Sequence, residues 1–258
     1  MSDIHDKKDL RKIAIKNVGI CDYYAPFILI NKNEEYITIA KIKSGVSLEA
    51  ETKGAHLSRI NMVLNNELVN KKLSIDNIEK IVGKIAKEVG VNNANLEMNF
   101  KIAFDFKTPK SELKTNMYSN IKIYIKIVNN KIDEEHITIS ANAAMLCPNS
   151  KAKSSRGAHS QKCIINVTLH DNISKVDIKD VYSVLCNSGS APVFDIVRSS
   201  DEVYMTEVAY DNPKFSEDAI RDILIAIKKK YTNSTIHAEL KNLESIHQHN
   251  VYCEGEQQ

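Results

Sequence analysis

Runs in which apolar and polar residues alternate occur throughout the 258-residue chain, and they constrain its fold more than any other feature. Alternation with a period of two is typical of strands that bury one face of a sheet. The runs predict strands at 13–19, 36–43, 95–106, 120–128, 132–143, 162–170 and 234–243. We expect the C-terminal segment to supply the final strand.

Residues with helical spacing lie between these strands in each half of the chain. Isoleucine and valine recur at three- and four-residue steps over 75–89, between Ser74, a good N-cap, and Gly90, a good stop, which predicts an amphipathic helix. Helices are also predicted at 59–69, 177–186 and 216–230. Both halves then run strand, strand, helix, helix, strand, strand, so we predict an α+β fold of two modules, 1–130 and 131–258.

Composition excludes several classes of protein. The chain is 43% hydrophobic, which is too apolar for a wholly disordered protein, and 35 basic against 33 acidic residues leave a net charge of +2. That charge gives no long-range field of the kind used by nonspecific nucleic-acid binders, so no nucleic-acid partner is expected. No apolar run is long enough to span a membrane, and the first twelve residues carry no signal-peptide pattern. We expect a cytoplasmic protein without a membrane partner.

Four polar segments interrupt the apolar pattern, at 54–59, 147–162, 188–218 and 244–249. Singly, each is more readily explained as a turn or a solvated surface. As a set they offer a thiol, imidazoles and carboxylates, which are the ligands that Zn²⁺ and similar ions take. Their spacing alone does not prove a metal site. A fifth polar segment, 107–116, is predicted to be a solvent loop between two strands.

The residues of these four segments resemble the type IB GTP cyclohydrolases. The resemblance rests on GAHLSR at 54–59, CPNSK and GAHSQK within 147–162, GSAPVF, RSSDEVYMTE and AYDNPKFSED within 188–218, and ESIHQH at 244–249. It implies tandem tunnelling-fold (ββααββ) modules, with antiparallel sheets that carry helices on one face. It also implies a homo-oligomer, expected to be a tetramer, with active sites between subunits.

The same resemblance implies a set of site residues. A divalent metal ion, zinc, manganese or iron, would be held by Cys147, His159, Glu202 and His247. His249 could replace His247 as a ligand or act as a proton donor, and the carboxylate ligand could instead be Asp201. The residues implied in catalysis are Cys147 and His249. Those implied in substrate binding are Glu217 for the guanine ring, with His56, Arg59, Lys153, Lys162 and Arg198.

The activity implied is conversion of GTP and water to formate and 7,8-dihydroneopterin triphosphate, the first step of tetrahydrofolate biosynthesis. One departure from the family pattern is Lys162, where an arginine is common, which puts the geometry of phosphate binding in question. The alternatives are another tunnelling-fold enzyme that processes pterins or deazapurines, and a non-catalytic protein that binds purine nucleotides.

Overall fold

The structure is a computed structural model that describes His5 and residues 8–258. The described helices are α1 (Leu57–Glu67), α2 (Ile75–Val89), α3 (Pro148–Lys153), α4 (Ile178–Ser188), α5 (Ser199–Asp211) and α6 (Ser216–Lys230). The described strands are β1 (Ile15–Asn31), β2 (Glu34–Leu48), β3 (Lys72–Leu73), β4 (Ala94–Lys107), β5 (Lys114–Val128), β6 (Lys131–Leu146), β7 (Ser160–His170), β8 (Ala191–Pro192), β9 (Thr235–Asn242) and β10 (Val251–Gln257). The expected final strand is therefore present as β10.

The chain divides into two compact units. The first comprises Met1–Lys101 with Ile121–Ile137, and the second comprises Ile102–Asn120 with Thr138–Gln258. Within the first unit the strand order is β3-β1-β2-β4-β5-β6, and within the second it is β4-β5-β6-β7-β9-β10, with β8 beside β6. β1 pairs antiparallel with β2, as β9 does with β7 and β10, whereas the short β1–β3 pair is parallel. The module bounds 1–130 and 131–258 stay a prediction.

Local chemistry explains α2 in the first unit. The Ser74 hydroxyl accepts from the Asn77 amide at 3.3 Å, and the Asn77 side chain accepts from the Ser74 amide at 3.0 Å, so two donors at the helix start are satisfied. Gly90 ends the helix with a left-handed φ of 84°. Ile78 and Ile85 on the apolar face are fully buried. The helix predicted at 75–89 is confirmed with the same bounds.

β1 is longer than the strand predicted at 13–19. Its ladder with β2 shifts register between Ile20 and Tyr23, and Asp22 within that shift has a φ of 55°. Such a bulge breaks the period of two, because one extra residue moves the following side chains to the other face. The alternation resumes with Ala25, Phe27 and Leu29, which are buried. The sequence pattern therefore showed only the part of the strand before the bulge.

Two segments of the second unit carry more structure than the sequence predicted. The polar segment 188–218 contains the helix α5, and the polar segment 147–162 contains the six-residue helix α3. Segment 107–116 joins two strands as predicted, and Pro109, Lys110 and Glu112 within it are exposed, but the connection is only six residues long. β4 continues to Lys107 and β5 begins at Lys114, while Thr108 inside the turn is only 2% exposed.

The described part of the chain contains no helix with the length and apolar character needed to cross a membrane. Of the first twelve residues, in which no signal-peptide pattern was found, residues 1–4, 6 and 7 lie outside the described residues.

Glu79 of α2 provides a test of the first unit. Burial, and then the negative charges of Glu135 and Asp76, raise the pKa of Glu79 to about 7, while Lys80 opposes the shift. The folded state therefore holds a proton that the unfolded state releases near pH 4.5. Stability falls as the pH rises from there through about 7, and the whole penalty is present above that pH.

We expect Glu79→Gln to raise the free energy of unfolding at pH 8 by about 1 to 2 kcal/mol, a figure reduced for solvent screening, and to have no effect below pH 4. Urea unfolding at both pH values measures the difference. Glu88→Gln, at an exposed position of the same helix, is the matched control and should change little at either pH. An equal effect of the two substitutions at pH 8 would contradict the assignment.

Candidate active site

Cys147 and His159 lie together although a polar segment separates them. The Cys147 amide donates to the His159 carbonyl at 3.2 Å, which joins the end of β6 to the start of β7. Cys147 is the N-cap of α3, and its Sγ accepts from the Ser150 amide at 3.4 Å. The Ser150 hydroxyl in turn accepts from the His159 amide at 3.2 Å. Ser150 therefore holds the backbone of the histidine and the sulfur of the cysteine in one arrangement.

Gln161 orients the His159 ring and was not among the predicted site residues. Its amide NH₂ group donates to the Glu244 carboxylate at 3.3 Å, so its oxygen faces His159 Nδ1, 3.0 Å away. Because that oxygen can only accept, the contact needs a hydrogen on Nδ1, and Nε2 is the ring nitrogen that could face a metal ion. This arrangement is typical of histidines that bind metals. The spacing of 159 and 161, two positions apart on extended chain, is the signal that could have found Gln161.

The segment 243–250 starts beside the same strand. The Leu243 amide donates to the Lys162 carbonyl at 3.0 Å, and the Glu244 amide donates to the Asn250 side chain at 3.3 Å. His247 and His249 are exposed, and their rings stack at a centroid distance of 5.1 Å with 13° between their planes. The choice between these two histidines as ligand stays open.

Glu217 stands exposed in the first turn of α6. The residue before it, Ser216, is buried and accepts from the Asn242 side-chain amide at 2.8 Å, which ties this turn to the end of β9. The Asp218 carboxylate accepts from the Phe215 amide at 3.1 Å and so satisfies one donor at the start of α6. The helix start thus leaves the Glu217 carboxylate free to face a ligand.

The first turn of α5 separates the roles of its two adjacent acids. Asp201 has no exposed surface, and its oxygens accept from the amides of Lys110, Ser111 and Arg198 and from the Ser111 hydroxyl. Burial by itself would raise the pKa of Asp201, but these hydrogen bonds outweigh it and hold the pKa below its usual value. Glu202 is exposed. The geometry therefore favours Glu202 over Asp201 as the available ligand.

The predicted phosphate-binding cations of the second unit are exposed. Lys153 ends α3, Lys162 lies on β7 and Arg198 precedes α5. Lys151 differs from them, because its ammonium lies over the Tyr210 ring at 4.2 Å from the centroid and also donates to the Tyr210 carbonyl.

His56 and Arg59 belong to the first unit, where they line a cavity of about 430 Å³. His5 and Lys8 also line this cavity, and the rings of His5 and His56 are 5.0 Å apart. The Arg59 guanidinium donates to the Glu88 carbonyl at 3.0 Å, which fixes its position at the wall. Glu49 and Glu51 line the same cavity, so its charge is mixed rather than purely basic.

The donor chemistry of the Cys147–His159 pair suits a divalent metal ion, because a thiolate and an oriented imidazole nitrogen are ligands that Zn²⁺ and related ions accept. Among His5 and residues 8–258, no three His, Cys, Asp or Glu side chains form a group that could hold a metal ion. Two of the four implied ligand residues, Cys147 and His159, are thus adjacent through a backbone hydrogen bond. Glu202 and His247 stay predicted ligands.

Comparison with known sequences gives matches along nearly the whole chain. A family model described as "Type I GTP cyclohydrolase folE2" matches residues 1–253. "GTP cyclohydrolase FolE2" of Geobacter sp. (strain M21) is 32% identical over 254 residues, which covers 98% of this chain and 93% of the relative. The protein of the same name from Thermosipho africanus (strain TCF52B) is 31% identical over 255 residues, covering 98% of this chain and 96% of the relative.

Comparison with solved structures confirms the fold. A crystal structure of uricase from Arthrobacter globiformis superposes with a TM-score of 0.54 at 8% identity, covering 99% of this chain and 95% of that chain. A uricase from Bacillus fastidious gives a TM-score of 0.50 at 10% identity, covering 96% and 93%. At such identities the likeness shows the fold alone, and it confirms the predicted α+β tunnelling fold.

Thiol accessibility tests the placement of Cys147. Cys21 is exposed and Cys147 is partly exposed, whereas Cys163 and Cys186 are buried. Burial also raises the pKa of Cys163 to about 12 and that of Cys186 to about 11. We expect iodoacetamide at pH 8 to alkylate Cys21 and Cys147 in the native protein and to spare the two buried thiols. Peptide mass spectrometry reads each site, and native labelling of Cys163 at the rate of Cys147 would contradict this placement.

Proposed function

The chain belongs to the family of type I GTP cyclohydrolases described as FolE2, and from this membership we propose that it is itself a GTP cyclohydrolase acting in folate biosynthesis. The observation that carries the proposal is the near full-length match, in which residues 1–253 fit the family model. The arrangement of Cys147, His159 and Gln161 supports it, since the backbones of the cysteine and the histidine are hydrogen-bonded and Gln161 orients the imidazole.

The finer parts of the proposal follow from the motifs. We place the chain in the type IB subclass. Its products would be formate and 7,8-dihydroneopterin triphosphate, made from GTP and water as the first step of tetrahydrofolate biosynthesis, in the cytoplasm. GTP would be the substrate because Glu217 is available for its guanine ring and several exposed cations are available for its triphosphate.

The proposed cofactor is a divalent metal ion held by Cys147, His159, Glu202 and His247. Zinc, manganese and iron all suit a mixed set of sulfur, nitrogen and oxygen donors. When bound, the ion lowers the pKa of water and so supplies a nucleophile for the guanine ring at neutral pH. Ser150 and Gln161 position the donors: Ser150 fixes the sulfur of Cys147 and the backbone of His159, and Gln161 orients the His159 ring through Nδ1.

Glu217 would recognise the guanine ring. Its carboxylate has two acceptor oxygens, which match the N1–H and the 2-amino group of guanine. Adenine presents no such pair of donors at these positions, so the contact selects guanine. The start of a helix also suits a negatively charged side chain, which is consistent with a carboxylate at this position. The Ser216–Asn242 hydrogen bond holds the backbone of this turn in place.

The remaining residues would bind phosphates and transfer protons. Arg198, Lys153 and Lys162 present charges that suit a triphosphate, and such charge-assisted contacts position the base. The implied roles of His56 and Arg59 concern the same substrate, and both line the cavity of the first unit. His249 would give a proton to the ring nitrogen that is released when the imidazole ring opens.

We also propose a homo-oligomer, a tetramer, with active sites shared between subunits. Exposed apolar side chains beside the proposed ligands support it. Val203 follows Glu202 and is 56% exposed, Ile246 precedes His247 and is 60% exposed, and Tyr252 of β10 is 78% exposed. A contiguous patch of such side chains would mark a surface that another protein covers.

The activity can be measured directly. Protein loaded with Mn²⁺, Zn²⁺ or Fe²⁺ and incubated with GTP should release formate and a product that becomes a fluorescent pterin on oxidation. Absence of both products with all three metals would overturn the proposal. Cys147→Ala should lower turnover more than about 100-fold and reduce the metal content, because it removes a first ligand. Cys21→Ala, at an exposed position of β1, is the matched control and should keep both.

Glu217→Gln tests base recognition apart from metal binding. The amide replaces one acceptor oxygen by a donor, so kcat/KM for GTP should fall at least about 100-fold while the metal content stays unchanged. Asp222→Asn, at an exposed position of the same helix, is the control and should retain both values. Loss of metal in Glu217→Gln would show that this carboxylate is not the base anchor.

A further inference from the structure

Hydrogen bonds fix the turn between β4 and β5, a segment that the sequence predicts to be a solvent loop. This β4–β5 turn (residues 108–113) is closed by a backbone hydrogen bond of 3.0 Å from the Thr108 amide to the Leu113 carbonyl. The Thr108 hydroxyl accepts from the Leu113 amide at 3.0 Å and lies 2.8 Å from the Ser111 hydroxyl. The turn thus has a fixed shape in which neighbouring amides point the same way.

Those amides meet the carboxylate of Asp201. Oδ1 accepts from the Lys110 amide at 2.9 Å and from the Ser111 amide at 3.0 Å. Oδ2 accepts from the Ser111 hydroxyl at 2.5 Å and from the Arg198 amide at 3.0 Å. The Lys110 ammonium also lies 4.6 Å from the centroid of the Tyr204 ring, one turn further along α5. The turn therefore contacts α5 twice, at its first residues and one turn later.

The other end of α5 is fixed by packing. Asp201 and Ala209 are the residues of this helix with buried side chains. Ala209 packs with Leu146 and Ala191 in a small apolar cluster directly before Cys147. α5 is thus attached at one end to the segment that carries Cys147 and at the other end to the β4–β5 turn. Its rotation about its own axis, which decides where Glu202 points, depends on the Asp201 attachment.

We propose that Asp201 is a positioning residue for the metal site, which it serves by locking the first turn of α5 to the β4–β5 turn. This inference rests on the proposed function, in which Glu202 is a metal ligand and Arg198 binds substrate. Asp201 itself has no exposed surface, so its carboxylate is not available to a substrate or a metal ion. It fixes the backbone of the residue that follows it and, through the Arg198 amide, the residue that begins the helix.

Two substitutions weaken the attachment to different degrees. Asp201→Asn keeps the shape but places an NH₂ group where an oxygen now accepts two hydrogen bonds. Ser111→Ala removes one hydroxyl donor and leaves all three amide donors in place, so it remains testable even where the first variant folds poorly. Asp177→Ala is the matched control, because it removes a helix-capping carboxylate from α4 in the same unit.

The measurement is the affinity of the full chain for Zn²⁺ alone, obtained by competition with a chelator, together with kcat and KM for GTP. Asp201→Asn should weaken zinc binding at least about 10-fold and lower kcat more than it changes KM, as expected when a ligand's support is lost. Ser111→Ala should move both values in the same direction by a smaller factor. Asp177→Ala should lower the melting temperature and leave zinc affinity unchanged.

A double-mutant cycle with Glu202→Gln decides whether Asp201 acts through its neighbour. If it does, Asp201→Asn should add less than about 2-fold to the loss of zinc affinity already caused by Glu202→Gln. The inference would be overturned if the losses of zinc affinity caused by Asp201→Asn and Glu202→Gln were fully additive. It would also be overturned if Asp201→Asn and Ser111→Ala bound zinc as tightly as Asp177→Ala. Absence of GTP turnover in the unchanged protein would overturn the proposed function alone, because the zinc affinities require no GTP.

Discussion

The second unit depends on the hydrogen bonds around one fully buried carboxylate, that of Asp201. An ionised side chain without exposed surface is tolerated only when hydrogen bonds replace its hydration, and removal of such partners costs several kcal/mol. Asp201 meets this requirement with donors from the β4–β5 turn, about ninety positions earlier in the chain. The requirement thus fixes two distant segments to each other, and it places Arg198 and Glu202 at the same time.

Elements whose causes are local could be predicted, and those with distant causes could not. α2 has its cap, its apolar face and its stop within residues 74–90, so its bounds follow from the sequence. α5 has no apolar stripe, because only Asp201 and Ala209 are buried. A helix of this kind owes its stability to tertiary contacts rather than to its own pattern. The contacts of the β4–β5 turn do not follow from its own residues for the same reason, since its partner lies in α5.

The candidate site shows a similar division. The thiol, imidazole and carboxylate residues could be named from the motifs, and the structure places Cys147 and His159 side by side. The choice between Asp201 and Glu202 could not be made from the sequence, because both are acids at adjacent positions. Adjacent helical residues point about 100° apart, so one can be buried while the other faces solvent. Only the donors around Asp201 distinguish them.

The cations show why net charge says little about phosphate binding. A formal charge of +2 hides an exposed basic group at Lys153 and Lys162, while Lys151 is held against Tyr210. The Lys162 carbonyl accepts a hydrogen bond from the Leu243 amide, which fixes the backbone at this position, and the Lys162 side chain is exposed. An ammonium is a point charge on a flexible stem and cannot form the two parallel hydrogen bonds of a guanidinium. In the proposed function, lysine at this position would therefore favour an electrostatic hold on a phosphate over a geometric one, and orientation of the substrate would be left to the groups proposed to contact the base.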